Sequence, residues 1–380
     1  MAGHEYKGLE SRFLKFLYDK LMVSRGVEDQ MHEDLLQNYL AARDQVITDE
    51  ITTLSQDDFI AGLRSAPDWA IGPFQRDQSL TFTKSEQLAD PTGIGWTSSS
   101  IFNPSIIEED GFLHLFYRAS VKKESLGSRI GHAIYVAGSG WRKVNDSPIL
   151  YPTRANELLS VEDPKVYRIA PGNFVLFYNS AWRATPAQVE EYKKPFGDLA
   201  CDINFAFSSD LITWEKAGLV VPYEVSRLWA KGAVIPRDEY GNAVRINNEY
   251  WMFLSEGCGG QQFIGKSRDM RGWHFEPITY LELPSAMGTH IYEVATAIVS
   301  GENLILDFMY ADHEGRHSGA QARYELSNPT VAREIAFGAT LAWGGLIKYR
   351  GDWMFAQGWD APNGKEEIYF YRRSQSELVE

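Results

Sequence analysis

Phe102-Asn103-Pro104-Ser105-Ile106 decides the fold when read with the stretches that follow it: Leu115-Phe116-Tyr117-Arg118-Ala119, Ser128-Arg129-Ile130-Gly131 and Val161-Glu162-Asp163-Pro164-Lys165. Each short polar cluster precedes or caps an apolar, aromatic-rich run. That order suits a strand that begins near a central axis and runs outward. It recurs at a spacing of roughly 50 to 70 residues, the range of propeller blades.

Working outward, blade one carries Asn103-Pro104, residues 113–117 and 130–135, and ends near Trp141. Blade two carries Glu162-Asp163-Pro164, residues 174–178 and 203–207, and closes on Ser208-Ser209-Asp210-Leu211-Ile212-Thr213-Trp214. Blade three runs through residues 231–234, 243–245, 250–254 and 263–265 to Ser267-Arg268-Asp269-Met270-Arg271-Gly272-Trp273. The shared Ser-x-Asp-Φ-x-x-Trp ending places a tryptophan at a fixed blade position, where it packs between neighbouring sheets. Blade four opens at Tyr292-Glu293-Val294-Ala295-Thr296 and continues to Tyr310, and blade five runs from about Trp343-Gly344-Gly345 to Arg373. The expected fold is an all-β five-bladed β-propeller over residues 67–380 with an N-terminal α-helical extension over residues 1–66. The extension is read from apolar stripes at helical spacing, Phe13, Leu14, Leu17 and Leu21, then Leu35, Leu36, Tyr39 and Leu40. Such helices pack on the propeller flank or on a second protomer.

The 380 residues are 44% hydrophobic and 13% aromatic, enough for a large core. A net charge of -14 argues against nucleic acid or an anionic membrane as partner, since both require surplus Lys and Arg. Cys201 and Cys258 have no metal-ligand spacing and read as buried thiols, which fits a reducing compartment. The N-terminus lacks a secretory apolar region and no stretch approaches about 18 apolar residues. The expectation is a cytoplasmic protein with no metal or organic cofactor and a neutral ligand.

Glycoside cleavage needs a group to protonate the leaving oxygen and a second group on the attacking side, and carboxyls serve for both. Asp163 is the first candidate, because a strand start in an aromatic funnel is where desolvation raises a carboxyl pKa. The plainer reading is an Asp-Pro turn. Glu293, which opens a blade as Asp163 does, and Glu256, which follows its strand, are candidates to activate water. Asn103, Arg118 and Arg129 are candidates to hold hydroxyls or an anionic group, the alternative being pairing with blade acids. Asp312 and Asp360 fall near strand ends and read equally as solvated loop acids. His290 and His313 suit proton handling near neutral pH, against the plainer structural or exposed imidazole. Trp96, Trp182, Trp229 and Trp343 have the form of sugar-stacking rings, core packing being the commoner fate. The glycine runs at residues 257–260 and 344–345 lack a phosphate-loop ending.

These motifs, spanning about residues 96–178, resemble glycoside hydrolase family 130, five-bladed propellers that act on β-mannosides by phosphorolysis or hydrolysis. The resemblance implies that Asp163 is the general acid, acting through a sugar hydroxyl in the phosphorylases, with Asn103, Arg118 and Arg129 around the sugar. It implies that Asp360 is a fifth-blade acid holding hydroxyls. Lys165 stands where the family usually has Arg, keeping the charge without the planar fork. The stretches that carry phosphate-binding cations in the phosphorylases read here Asp202-Ile203-Asn204, Trp214-Glu215-Lys216 and Leu254-Ser255-Glu256. Extra carboxylates would repel a phosphate dianion, with Lys231 and Arg245 as partial compensation. The expected function is therefore an inverting hydrolase of a β-mannoside-like oligosaccharide, with Asp163 as acid and Glu293 or Glu256 activating water. Lys165, Lys231, Asp312 and Asp360 complete the expected substrate-binding set. The alternatives are a β-mannoside phosphorylase and a non-catalytic carbohydrate-binding propeller. Asn103 at the first-blade acid position argues against a furanosidase. In related propellers similar helical arms support oligomers, so a homo-oligomer through the N-terminal helices is possible.

Overall fold

The computed structural model describes residues 60, 62–83, 96–120, 126–145, 147–195, 197–340, 342, 345–358 and 367–373. The first strands, β1 (Phe74–Arg76) and β2 (Phe82–Thr83), precede a series of antiparallel sheets. Blade one is β3 (Ser100–Glu109), β4 (Phe112–Ser120), β5 (Arg129–Val136) and β6 (Gly140–Lys143). Blade two is β7 (Ser160–Ala170), β8 (Asn173–Arg183), β9 (Leu199–Ser208) and β10 (Glu215–Leu219). Blade three is β11 (Ala230–Val234), β13 (Glu249–Gly257), β14 (Phe263–Ser267) and β15 (His274–Pro277), with β12 (Arg245–Ile246) on β13. Blade four is β16 (His290–Ser300), β17 (Asn303–Ala311), β18 (His317–Glu325) and β19 (Glu334–Phe337). Blade five is β20 (Leu346–Tyr349), β21 (Asp352–Gln357), β22 (Glu367–Arg373) and then β1, with β2 also on β22. These five sheets form the expected propeller.

One difference from the sequence reading lies in blade five, whose outer strand comes from the start of the propeller: Phe74 pairs with Arg373 and Arg76 with Tyr371. The helical extension over residues 1–66 lies outside the described residues, apart from Ile60 and a short 3-10 turn at Gly62–Ser65 with its flank.

Each blade packs against a neighbour on both faces, which explains why its central strands read as unbroken apolar runs. Along β4, Leu113, Leu115 and Tyr117 enter the core shared with blade five, while Phe116 enters the core shared with blade two. In β8, Val175 and Phe177 face blade three and Phe174, Leu176 and Tyr178 face blade one. Successive side chains on a strand point to opposite faces, so both faces must be apolar here. Gly131 is required by this packing, because a Cβ there would lie 2.3 Å from the Tyr117 ring.

The repeated Ser-x-Asp-Φ-x-x-Trp ending is a turn with the same bonds in both blades. Asp210 accepts from the backbone amides of Ile212 and Thr213, and Asp269 from those of Arg271 and Gly272. Trp214 then donates to the Leu211 carbonyl and Trp273 to the Met270 carbonyl. The two rings pack as expected across blades, Trp214 edge-on to Phe116 of blade one and Trp273 edge-on to Phe177 of blade two. Trp141 contacts Phe370 of blade five in the same sense.

Candidate active site

The motifs that open blades one and two are β-bulges. The β3 register shifts between Phe102 and Ser105, and the β7 register between Glu162 and Lys165. The residue at each kink is left-handed, Asn103 at φ 44° and Asp163 at φ 55°. Asn and Asp tolerate that conformation best among residues with a side chain, the following proline adds no donor, and a bulge re-aims the side chain it carries. Both point into one place: Asn103 Nδ2 donates to Asp163 Oδ1 at 2.6 Å. Blade four repeats the device with two register shifts, one on each side of Glu293 and Val294. In blade three Gly232 is left-handed, at φ 62°, but the β11–β13 register does not shift there. A Cβ on Gly232 would lie 2.9 Å from Glu293 Cγ, so the glycine lets that carboxylate side chain approach β11.

Together these strand ends floor a funnel of about 1080 Å³ lined by residues of blades one to four. Its charged floor is an ion-pair network. Arg118 Nη1 bonds Glu162 Oε2 at 2.8 Å and Asp163 Oδ1 at 3.1 Å, and Lys231 Nζ lies 3.3 Å from Glu162 Oε2 and 3.4 Å from Asp163 Oδ2. Asn179 Nδ2 donates to Asp163 Oδ2 at 3.3 Å. Arg118 is aimed by its Nε donating to Ser128 Oγ and by stacking over the Phe102 ring. Lys165 Nζ pairs with Glu293 Oε1 at 3.2 Å.

The expected rise in the Asp163 pKa is corrected by this network. Burial alone would raise it, but the charges of Arg118 and Lys231 and the Asn103 amide outweigh burial and hold the carboxyl well below the usual range. The cause escapes a local reading because the cations come from other strands. Glu256 is the carboxyl that is pushed up, to about 7, by burial first and then by the neighbouring Glu293 charge, against the pull of Lys231. It sits inside β13, opposite Lys231 on β11, rather than after the strand.

Asn103, Arg118, Asp163, Lys231, Glu256 and Glu293 line the funnel, as does His290. Lys165 does not: it lines a smaller chamber with Asn103, Asp163, Asn179 and Glu293. Arg129 is buried off the funnel wall, its Nη1 donating to the Ser128 carbonyl. Asp312 ties a turn, accepting from the Glu314 and Arg316 amides and the Arg316 side chain. His313 bonds the Ser285 carbonyl at an exposed position. Asp360 and Trp343 lie outside the described residues. Trp96 and Trp182 are core, the latter donating to Asp202. The acids read at the stretches that bind phosphate in the phosphorylases are also redistributed. Asp202 is buried among Asn156, Trp182 and Tyr223, Glu215 is exposed on an outer strand, and only Glu256 of the three lines the funnel. Arg245 is exposed and lines a different depression with Glu302 and Glu325.

Residues that the sequence reading passed over are Asn179, Ser255, Tyr292 and His317. Ser255 Oγ donates to the Gly232 carbonyl and accepts from the Val294 amide, joining blades three and four below Glu293. Tyr292 stacks on His317 at 4.2 Å and meets His290 edge-on, forming an aromatic wall to the funnel. Both cysteines are buried thiols, and burial pushes Cys258 up to about 12. Among the described residues no group of three His, Cys, Asp or Glu side chains is placed to hold a metal ion, and no helix is long and apolar enough to cross a membrane.

No family model matches the chain. Among curated proteins it is 29% identical over 172 residues to a 1,2-beta-oligomannan phosphorylase of Thermoanaerobacter sp. (strain X514), covering 42% of this chain and 51% of that protein. It is 31% identical over 93 residues to a beta-1,2-mannobiose phosphorylase of the same organism, covering 22% of this chain and 30% of that protein. The matches thus span about half or less of these relatives' lengths. Among solved structures it superposes with a TM-score of 0.63 and 19% identity on a protein from work on glycoside hydrolases that target beta-1,2 mannosidic linkages in the GH130 family of mannoside phosphorylases. That superposition covers 82% of this chain and 96% of the other. In fold, therefore, the chain is a GH130-like five-bladed β-propeller.

Proposed function

We propose that the protein cleaves β-mannoside-type glycosidic bonds in the funnel. The observation that carries this is the pair of left-handed bulges that present Asn103 and Asp163 side by side above Arg118 and Lys231. A carboxylate, an amide and two cations in that array match the donors and acceptors of a sugar's adjacent hydroxyls. The two curated relatives are both β-1,2-mannoside phosphorylases, which supports inorganic phosphate as the acceptor ahead of the water that the sequence reading preferred. The loss of Asp202 and Glu215 from the funnel removes part of the argument against phosphate.

Asp163 is ionised at neutral pH while Arg118 and Lys231 hold it. When a sugar hydroxyl displaces Lys231 from its oxygens its pKa rises and it takes up a proton from solvent. It then serves as the acid, passing a proton towards the leaving oxygen, while Asn103 and Arg118 fix the hydroxyls.

A second reading, hydrolysis, rests on Glu256. Its pKa of about 7 beside Glu293 suits a base that takes a proton from water. In addition, the funnel's Arg118 and Lys231 are already paired with Glu162 and Asp163, so a phosphate dianion must compete for them. The test is product analysis on β-1,2-mannobiose and longer β-1,2-mannosides with and without phosphate, alongside Asp163→Asn. Mannose 1-phosphate formed only with phosphate supports the first reading; free mannose at an equal rate without phosphate supports the second. Turnover of neither these nor other β-mannosides overturns both.

A further inference from the structure

The funnel is chemically divided. Beside the ion-pair floor, Tyr292, Met309 and His317 of blade four and Leu281 and Leu283 of the preceding connection give it an apolar, aromatic side. Tyr292 stands out there on two counts. It is the extra residue of a blade-four bulge: Ile291 pairs with Tyr310 and Glu293 with Met309, and nothing on β17 opposes Tyr292. A bulge re-aims the side chain it carries, so Tyr292, like Asn103 and Asp163, is brought to the funnel by a kink in an innermost strand. Its ring is also not core. Tyr310 and Tyr324 of the same blade are 4% and 0% exposed, whereas Tyr292 and His317 are half-buried and His290 is exposed. The Tyr292 ring lies nearly parallel to the His317 imidazole, with centroids 4.2 Å apart and planes at 17°, and meets His290 at 4.6 Å. The imidazole backs the phenol and leaves aromatic surface on the funnel side.

We propose that Tyr292, backed by His317, is the platform for the second sugar of the substrate, the leaving unit, while Asn103, Arg118 and Asp163 hold the terminal one. The platform presupposes the glycoside reading of the funnel, and it selects oligosaccharides over glycosides of small leaving groups. A pyranose carries hydroxyls around its edge and carbon-bound hydrogens on its faces, so it fits polar groups at its rim and a flat apolar surface beneath it. The ion-pair floor supplies the first and Tyr292 the second. Tyr292 adjoins Glu293, and Glu293 lines the small chamber together with Asn103 and Asp163, so the platform begins one residue from the array that holds the reacting sugar. His290, engaged through Nδ1 with Thr289 Oγ1 at 3.1 Å, has a second ring nitrogen for a hydroxyl of the leaving unit. Gln262 sets the adjoining connection before substrate arrives: its side chain accepts from the Tyr280 and Leu281 amides and donates to the Leu281 carbonyl. At about 1080 Å³ the funnel has room for more than one ring, since cavities of about 300–1,000 Å³ hold drug-sized ligands.

The test compares two substrates that share a terminal mannose, both assayed with phosphate present. β-1,2-Mannobiose has a second sugar to lay on the platform; β-mannosyl fluoride has none. In Tyr292→Ala, kcat/KM on the disaccharide is expected to fall about ten- to hundredfold, the worth of uncovering one aromatic ring. On the fluoride it should stay within about twofold, and Tyr292→Phe, which keeps the ring, should stay within about twofold on both. An equal fall on both substrates, or no fall on the disaccharide, overturns the platform. If Tyr292→Ala does not fold, Tyr292→Leu, which keeps an apolar side chain without the flat face, gives the same comparison. Binding is read apart from cleavage by isothermal titration. Wild-type protein is expected to bind mannobiose at least about tenfold more tightly than mannose, and Tyr292→Ala to lose that margin. A margin that is present and lost in the variant, with no mannoside turned over, supports the platform and overturns only the cleavage reading. Turnover with the Tyr292→Ala ratio unmoved overturns the platform and leaves cleavage standing, and wild-type protein that binds neither sugar overturns both.

Discussion

Arg118→Met tests the ion-pair floor most directly. Arg118 is 5% exposed and Glu162 2% exposed, and one guanidinium nitrogen serves both Glu162 at 2.8 Å and Asp163 at 3.1 Å. Methionine keeps much of the stem's volume and removes the guanidinium with its charge and its donors, leaving two carboxylates that share Lys231 at 3.3 and 3.4 Å. Removing one partner of a buried pair costs about 3–5 kcal/mol because the remaining charge is stranded in a poorly solvated place. The exposed Arg183–Asp198 pair is an internal control: it is shorter, at 2.6 Å, but its side chains are 39% and 57% exposed, and Arg183→Met should cost under about 1 kcal/mol. Urea unfolding at pH 7.5, followed by tryptophan fluorescence, measures both. Adding Glu162→Gln to Arg118→Met removes one stranded charge and should recover at least about 1 kcal/mol. A cost for Arg118→Met no larger than that for Arg183→Met, or no recovery in the double variant, would refute the reasoning.

Asp163→Asn keeps a side chain that tolerates the left-handed bulge, so it should fold with wild-type circular dichroism while mannoside turnover falls by about 10²–10⁴. Glu293→Gln removes a charge that holds the Glu256 proton on, so the Glu256 pKa should fall below about 7. If Glu256 acts as base, the acid limb of the rate profile moves to lower pH, and an unmoved limb counts against that role. Glu256 binds its proton more tightly in the folded state than its ordinary value of 4.5 allows. Its contribution to stability is therefore complete below about pH 4.5 and lost as pH rises towards 7, and Glu256→Gln should flatten that part of a stability–pH curve. Trp273→Ala, which empties the contact with Phe177 of the preceding blade, should destabilise by about 3–5 kcal/mol in a denaturant titration.

The blades were legible because burial on both faces writes unbroken apolar runs and because the Asp-capped turns reuse one set of hydrogen bonds. Asn103 and Asp163 were legible for a related reason: Asn-Pro and Asp-Pro are the chemistry of a left-handed kink. What the sequence hid depends on distance along the chain. Arg118 and Lys231 reach Asp163 from β4 and β11, and their charges reverse the effect of burial that a local reading anticipates. Asn179 and Ser255 sit in ordinary strand positions, and nothing in the residues beside them shows that they face the axis. The three residues of β1 are too few for a period-two pattern, so the closure of blade five was invisible. Asp202 and Asp312 show the opposite error. A carboxylate near a strand end has several uses, and here one satisfies an interior amide, indole and phenol while the other caps a turn.

The closure of blade five also sets an order of events during synthesis. β1 leaves the ribosome before the other strands described, yet its partner β22 is made after all of them, since Phe74 pairs with Arg373. Blades one to four can each complete their sheets as they are translated, because their strands are consecutive in the chain. Blade five cannot. Once blade four is complete, after Phe337, the nascent protein is an open arc with two bare apolar flanks, one on blade one and one on blade four, and the last strands close it into a ring.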